Sequence, residues 1–180
     1  MPETPAWQGD VAWSLFKGAT GSVLSAMYAV GNLVGSLPLK LLGIRQLALS
    51  ALQDGNLVTA ERYAREMLQA GELADAWYHG NAVHQGHLLL GEIALARDDR
   101  NLAIVELLAA ARVSGSPQLI SFGPNMRLAR QLLNLGIPAP VLEYLELCRT
   151  FWTEGSAKLD AWAAAIRAGE PVDFGANVHY

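Results

Sequence analysis

Cysteine is almost missing from this chain. Cys148 is the only one, so no disulfide framework can form within the chain and the fold must stand on its core alone. Beside so many apolar neighbours, that thiol reads as a small buried side chain rather than a nucleophile. Charge is scarce as well, at 17% against 52% hydrophobic residues. That tilt implies apolar surface beyond an ordinary core, for a partner, an oligomer or a membrane. Bases do not dominate: 13 lysines and arginines face 17 acids, for a net charge of −4. No basic stripe exists, which argues against nucleic acid as a partner. No strand-like alternation persists for more than a few residues. Gly-x-Ser-x-Gly, a phosphate loop and a zinc-protease helix pattern are all absent, so the sequence supplies no catalytic motif. A secretory signal is not evident, because Met1 to Asp10 carry no lysine or arginine.

Charge is also unevenly spread. None occurs from Gly18 to Leu39, the only stretch that approaches the roughly 20 apolar residues of a membrane span. Glycines, serines, Asn32 and Pro38 dilute it. Gly31 and Gly35 suit either a close approach of two helices in a bilayer or a loop in a soluble protein. Trp7 and Trp13 nearby suit a membrane interface. Residues 1–37 therefore read as an apolar helical segment distinct from 38–180.

Beyond residue 38 the chain repeats. Leu90-Gly91, Ala94, Asp98, Ala103, Leu107 and Ala110 match Leu47-Ala48, Ala51, Gly55, Ala60, Ala64 and Met67 upstream. They match Leu128-Ala129, Leu132, Gly136, Val141, Leu145 and Cys148 downstream. Small residues in step let two antiparallel helices cross closely, and each set straddles a Gly, Asn or Asp turn. Units begin near Leu41, His84 and Phe122, longer than the ~34 residues of a standard tetratricopeptide unit. The excess falls near 71–83 and 113–124. The reading predicts helices over 39–53, 57–70, 82–97, 100–113, 125–135 and 139–152. Asn101 is a candidate cap for the fourth of these. A last helix over 157–168, with Ser156 as cap, presents Leu159, Trp162, Ala163 and Ile166 on one face and covers the end of the stack.

Three segments carry a resemblance: Gly80-Asn81-Ala82-Val83-His84; Gly115-Ser116-Pro117-Gln118-Leu119 with Ser121-Phe122-Gly123-Pro124-Asn125-Met126; and Asp173-Phe174-Gly175-Ala176-Asn177. With them the chain resembles an uncharacterised bacterial family of tetratricopeptide-like repeat proteins over roughly residues 57–180. The resemblance supports the all-α reading, a stack of about three helix pairs with a C-terminal capping helix, and leaves the apolar N-terminal helical segment outside it. It implies no catalytic residues.

Three functions fit. The first is a non-catalytic scaffold that holds a protein or peptide in the concave groove of the stack. Matching positions place Arg45, Leu49, Leu52, Gln85, Leu88, Glu92, Met126, Arg130 and Asn134 on that groove. Its occupant is then a partner, the chain's own N-terminal segment, or its tail. The second is a small-ligand pocket or enzyme site near His84, His87, Ser121, Phe122 and Asn125. Arg127 and Arg130 follow that loop on a helix whose N-terminus attracts anions. The bland alternative has Asn125 or Ser121 capping the helix and Phe122 plugging the core. His84 and His87 share a helix face but lack an acid or cysteine at ligand spacing, so no metal or cofactor is expected; the plainer reading has His84 hydrogen-bonded within the helix packing and His87 packed against a neighbouring pair. The third is a cytoplasmic adaptor attached to a membrane through residues 11–39. The ring-rich tail, Phe174, His179 and Tyr180, is expected to dock back near Trp152 and Trp162.

Overall fold

The computed structural model describes residues 21–74 and 76–179. Those residues are helical throughout, with no strand among them, and the helices pack in consecutive pairs. Expectations resting on Trp7, Trp13, Tyr180 and the rest of residues 1–20 lie outside them.

The first helix, α1 (Gly21–Val34), ends at Gly35, whose φ of 67° turns the chain into α2 (Leu37–Gln53). The two glycines do different things. Gly35 makes the turn, while Gly31 lies where a Cβ would come within 2.6 Å of the Lys40 backbone nitrogen. Gly43 on α2 does the same against Tyr28 at 2.8 Å. Tyr28 then donates to Glu66 of the next helix at 2.7 Å and meets Tyr63 edge-on at 5.9 Å. Within the described residues, the boundary after 37 falls in the first turn of α2, just past the Gly35-Ser36 turn between two closely packed helices. None of these helices is long and apolar enough to cross a membrane.

Three pairs follow. They are α2 with α3 (Leu57–Glu72), α4 (Ala76–Ala96) with α5 (Arg100–Ala111), and α7 (Arg127–Asn134) with α8 (Ala139–Cys148). Local chemistry sets the turns. Gly55 takes a φ of 73°, and Asn56 caps α3 by accepting from the Thr59 N–H at 3.1 Å. In the second pair the cap is Asp99, which accepts from the Leu102 N–H at 2.9 Å. Asn101 falls inside the helix instead. Asp98, at a φ of 59°, takes the left-handed residue of that turn. The small residues do their expected work: Ala48, Ala60, Ala64, Ala103 and Ala110 are all completely buried.

Two segments depart from expectation. α4 begins at Ala76, six residues before 82, because Gly80 lets its first turns lie directly on the backbone of Gly115. The excess expected as loop near 113–124 holds a short helix, α6 (Pro117–Phe122), capped by Ser116 with Pro117 in its first turn. After α8 the chain turns through Thr153–Gly155 into α9 (Ser156–Ala168). Ser156 is the first residue of α9 rather than its cap, and its hydroxyl donates to the Thr153 carbonyl.

The capping role of α9 is realised by its apolar face. Leu159, Trp162, Ala163 and Ile166 are buried against the core that also holds Tyr144, Leu145, Cys148 and Phe151. The tail docks back through Phe174, while His179 stays exposed. Trp162 donates its indole N–H to the Asp173 carbonyl at 3.0 Å and packs edge-on against Phe174 at 5.2 Å. Trp152 lies 5.8 Å from Trp162, its ring wedged against the backbones of Gly123 and Gly155. Burial raises the Cys148 thiol pKa well above its usual range and keeps it inert.

Gly80→Ala tests the α4–α6 contact. Alanine favours a helix by about 1 kcal/mol, but the added Cβ is driven into the Gly115 carbonyl, which has no flexible end to yield. Overpacking of this kind costs about 1–3 kcal/mol, so the expected outcome is a melting temperature lower by about 5 °C. An unchanged or higher value would mean that α4 does not approach residue 115 this closely.

Candidate functional site

The segments 80–84, 115–126 and 173–177 meet at one place. His84 is fully buried on α4. Its Nδ1–H donates to the Ala110 carbonyl at the end of α5, at 2.8 Å. Its Nε2 accepts the Asn125 backbone N–H at 3.1 Å. A carbonyl on one side and an N–H on the other fix the neutral tautomer with its proton on Nδ1. The ring stacks on Tyr144 at 6.4 Å and meets Phe151 edge-on at 6.2 Å. Tyr144 donates to the Asn125 carbonyl at 2.8 Å, so both backbone groups of Asn125 are held. From the tail, Asn177 donates its side-chain amide to the carbonyls of Phe122 and Pro124, both at 2.9 Å. Its own carbonyl receives the Met126 N–H at 2.7 Å. Asn125 in turn accepts from the Arg127 N–H at 2.9 Å, which supports the first turn of α7.

This cluster positions backbone rather than presenting chemistry. Burial pulls the His84 pKa down to about 4, with the nearby His87 and Arg45 charges acting in the same direction. Of the five residues expected around a ligand pocket, only His84 and Asn125 are bonded to one another. His87 turns toward α5 and pairs with Glu106 at 2.7 Å. Ser121 is exposed, and so is Phe122 at 64%, so Phe122 does not plug the core. Gly123 and Trp152 occupy that place.

The first helices of the three pairs share an open cleft of about 530 Å³, lined by Leu52 and Gln53 from α2, Glu92, Leu95 and Ala96 from α4, and Arg127, Gln131 and Asn134 from α7, with Leu135 just beyond its end. At its floor Glu92 pairs with Arg127. Burial raises the Glu92 carboxyl pKa, and the Arg127 charge opposes that rise. Beside them Arg45 donates to Gln85 at 3.2 Å. Its guanidinium pKa is lowered to about 10, first by burial and then by repulsion from Arg127. On the other flank of α7 lies a second cleft of about 460 Å³. It is bounded by Arg130, Leu133 and Asn134, by Ile166 of α9, and by Val172 and Phe174 of the tail.

The residues expected on the groove divide accordingly. Leu52, Glu92 and Asn134 line the first cleft, and Arg130 and Asn134 the second. Arg45 and Gln85 form the adjoining polar pair. Leu49, Leu88 and Met126 are packed in the cores. The expected α7 register, Met126–Arg130–Asn134, is one residue early. Helix residues start at Arg127, with Met126 as the flanking residue at φ −106°, ψ 10°. One residue rotates a helix by about 100°. The groove face is therefore Arg127, Gln131 and Asn134, a set visible at spacing i, i+4, i+7 once the start is placed correctly.

Among the described residues, no group of three or more histidines, cysteines, aspartates or glutamates is arranged to hold a metal ion. In comparisons with protein-family models, with curated proteins and with solved structures, nothing matches this chain.

His84 makes stability depend on acid. Its folded pKa of about 4 lies below the ordinary 6.5, so the unfolded chain binds the proton first. The contribution is complete above pH 6.5 and is lost as pH falls toward 4, where it amounts to about 3 kcal/mol. Urea titrations should show lower stability at pH 4 than at pH 7, with Glu92 offsetting part of the loss because its raised carboxyl pKa favours the fold as pH falls. The part due to His84 should vanish in His84→Phe, whose pH slope over the same interval is flatter. An identical slope in that variant would refute the assignment.

Proposed function

We propose that this chain is a non-catalytic scaffold of the tetratricopeptide-like kind, a cytoplasmic adaptor that holds a peptide segment of another protein in its concave cleft. One observation carries the reading. All three first helices contribute to a single open cleft with an apolar rim, Leu52, Leu95 and Leu135, and a polar floor of Glu92, Arg127 and Gln131. Apolar anchors beside a few fixed polar groups suit an amphipathic or extended peptide. The buried histidine cluster supports the same reading, because it spends its polar groups on holding α7 in place and leaves none for acid–base work. A rigid groove costs little to order on binding.

Ala96 supplies the test. It is exposed within the cleft and touches the floor with only a methyl group, so Ala96→Trp fills the groove without disturbing the core. Peptides selected from a displayed random library should shift the NMR resonances of α2, α4 and α7. Ala96→Trp should weaken them at least about tenfold, or 1.4 kcal/mol, at unchanged melting temperature. Selected peptides that bind the variant equally well, or that shift only the convex helices, would sink the proposal.

A second reading has its own observation. The outer face of α1 shows Ala26, Ala29, Val30 and Leu33 to solvent, with Leu33 at 87% exposure, and the helix carries no charge. That stripe, at i, i+3, i+4 and i+7, fits a helix lying in a membrane interface, which would make the adaptor membrane-associated. The full chain should then float with neutral phospholipid vesicles and Leu33→Glu should not. Equal behaviour of the two would remove this reading.

A further inference from the structure

The charges on the concave face are the reverse of those on the whole molecule. The chain carries a net −4, yet Arg45, Arg127 and Arg130 gather beside the two clefts. Against them stand Glu92, already paired with Arg127, and Glu170 in the second cleft. Among the described residues, the Gln85 amide, which is neutral, is the hydrogen-bond partner of Arg45. Its charge feels the repulsion of Arg127 as well as the attraction of Glu92. Arg130 forms no ion pair among the described residues and is exposed at the edge of the second cleft. Holding two arginines around one buried carboxylate is costly unless another anion completes the set.

The two clefts also share Asn134, one lying on each flank of α7. A bound chain can therefore run over the α7 ridge from one apolar hollow into the other, from Leu95 and Leu135 to Ile166 and Phe174. Nothing in this path requires the chain to end beside the arginines.

We propose that the occupant of the groove is an acidic peptide segment. An internal Asp or Glu side chain meets the arginines about the α7 ridge, while apolar residues on either side of it fill the two clefts. The inference rests on the peptide-binding reading above and adds the chemistry of the peptide. Carboxylate with guanidinium forms a charge-assisted, directional pair, and the apolar hollows supply the area that a small anion lacks. A nucleic acid backbone is disfavoured, since a polyanion would have to cross a surface on which acids outnumber bases.

The experiment uses the full chain and four pools of synthetic peptides of about fifteen residues, with random apolar positions flanking a fixed centre. Three pools are capped at both ends and carry Glu, Gln or Lys at the centre. The fourth carries Gln at the centre and a free C-terminal carboxylate. Fluorescence anisotropy should show the Glu pool binding about tenfold more tightly than the Gln pool, with most of that difference lost in 0.5 M salt, where screening is within about 4 Å. Arg130→Gln, an exposed change that leaves the core intact, should lower the Glu preference severalfold. Glu92→Gln, which frees Arg127, should raise it. If the Gln or Lys pool binds as well as the Glu pool and Ala96→Trp blocks it, the groove stands and its acidic preference is wrong. If the free-carboxylate pool or a homopolymer RNA binds more tightly than the Glu pool, an internal acidic side chain is not the ligand. If no pool binds, the peptide-binding reading itself fails.

Discussion

The C-terminal half of this molecule depends on one imidazole placed between two backbone groups. His84 joins the end of α5 to the loop before α7, with its donor on the Ala110 carbonyl and its acceptor on the Asn125 N–H. A loop of Gly, Pro and Asn has little apolar surface with which to fix itself. Its buried carbonyls and N–H groups need partners or they cost free energy. Tyr144 and Asn177 complete the set from α8 and from the tail. Four chain segments distant in sequence are thereby tied to the same few backbone atoms. This explains why the tail folds back at all, since Asn177 and Phe174 bring it hydrogen bonds and aromatic packing together.

What the cluster achieves is the placement of α7, a helix of only eight residues. So short a helix is unstable by itself and takes its position from its surroundings. Asn125 supports its first turn, Leu128, Ala129 and Leu132 bury its inner face, and the remaining face divides the two clefts. The Glu92–Arg127 pair then links α7 to α4 across the groove floor. The cleft is thus a by-product of packing, and its shape depends on the hydrogen bonds that hold α7 in place.

Much of this could be read from the residues. The turns at Asp54-Gly55-Asn56 and at Asp98–Asn101 follow from local backbone preferences, and so lie where expected to within a residue or two. The buried alanines follow from the need for helices to cross closely. The face of α9 follows from helical spacing. The candidate site was legible only in part. Glu92 and Asn134 were placed on the groove, but Arg127, Gln131 and Leu95 were not, because the start of α7 is set by Asn125 and His84 from a distance. For His84 the sequence offers a hydrogen bond within the helix packing or a place in a pocket; the first is what it does, but nothing in its neighbours by sequence names the Ala110 carbonyl and the Asn125 N–H as its partners. α6 escaped because six residues are too few to show a helical period.

The sequence by itself determined the class of structure, the pairing of helices and the positions of their tight turns. Each of these depends on residues within about one helical turn, or on small side chains recurring at a fixed interval. Only the tertiary structure decided which polar side chains are spent on backbone and which remain on the surface. That depends on partners 26 to 55 residues away, as for His84 with Ala110 and Asn177 with Phe122. A buried polar group is silent or reactive according to what saturates it, and spacing along the chain carries no record of contacts at that range.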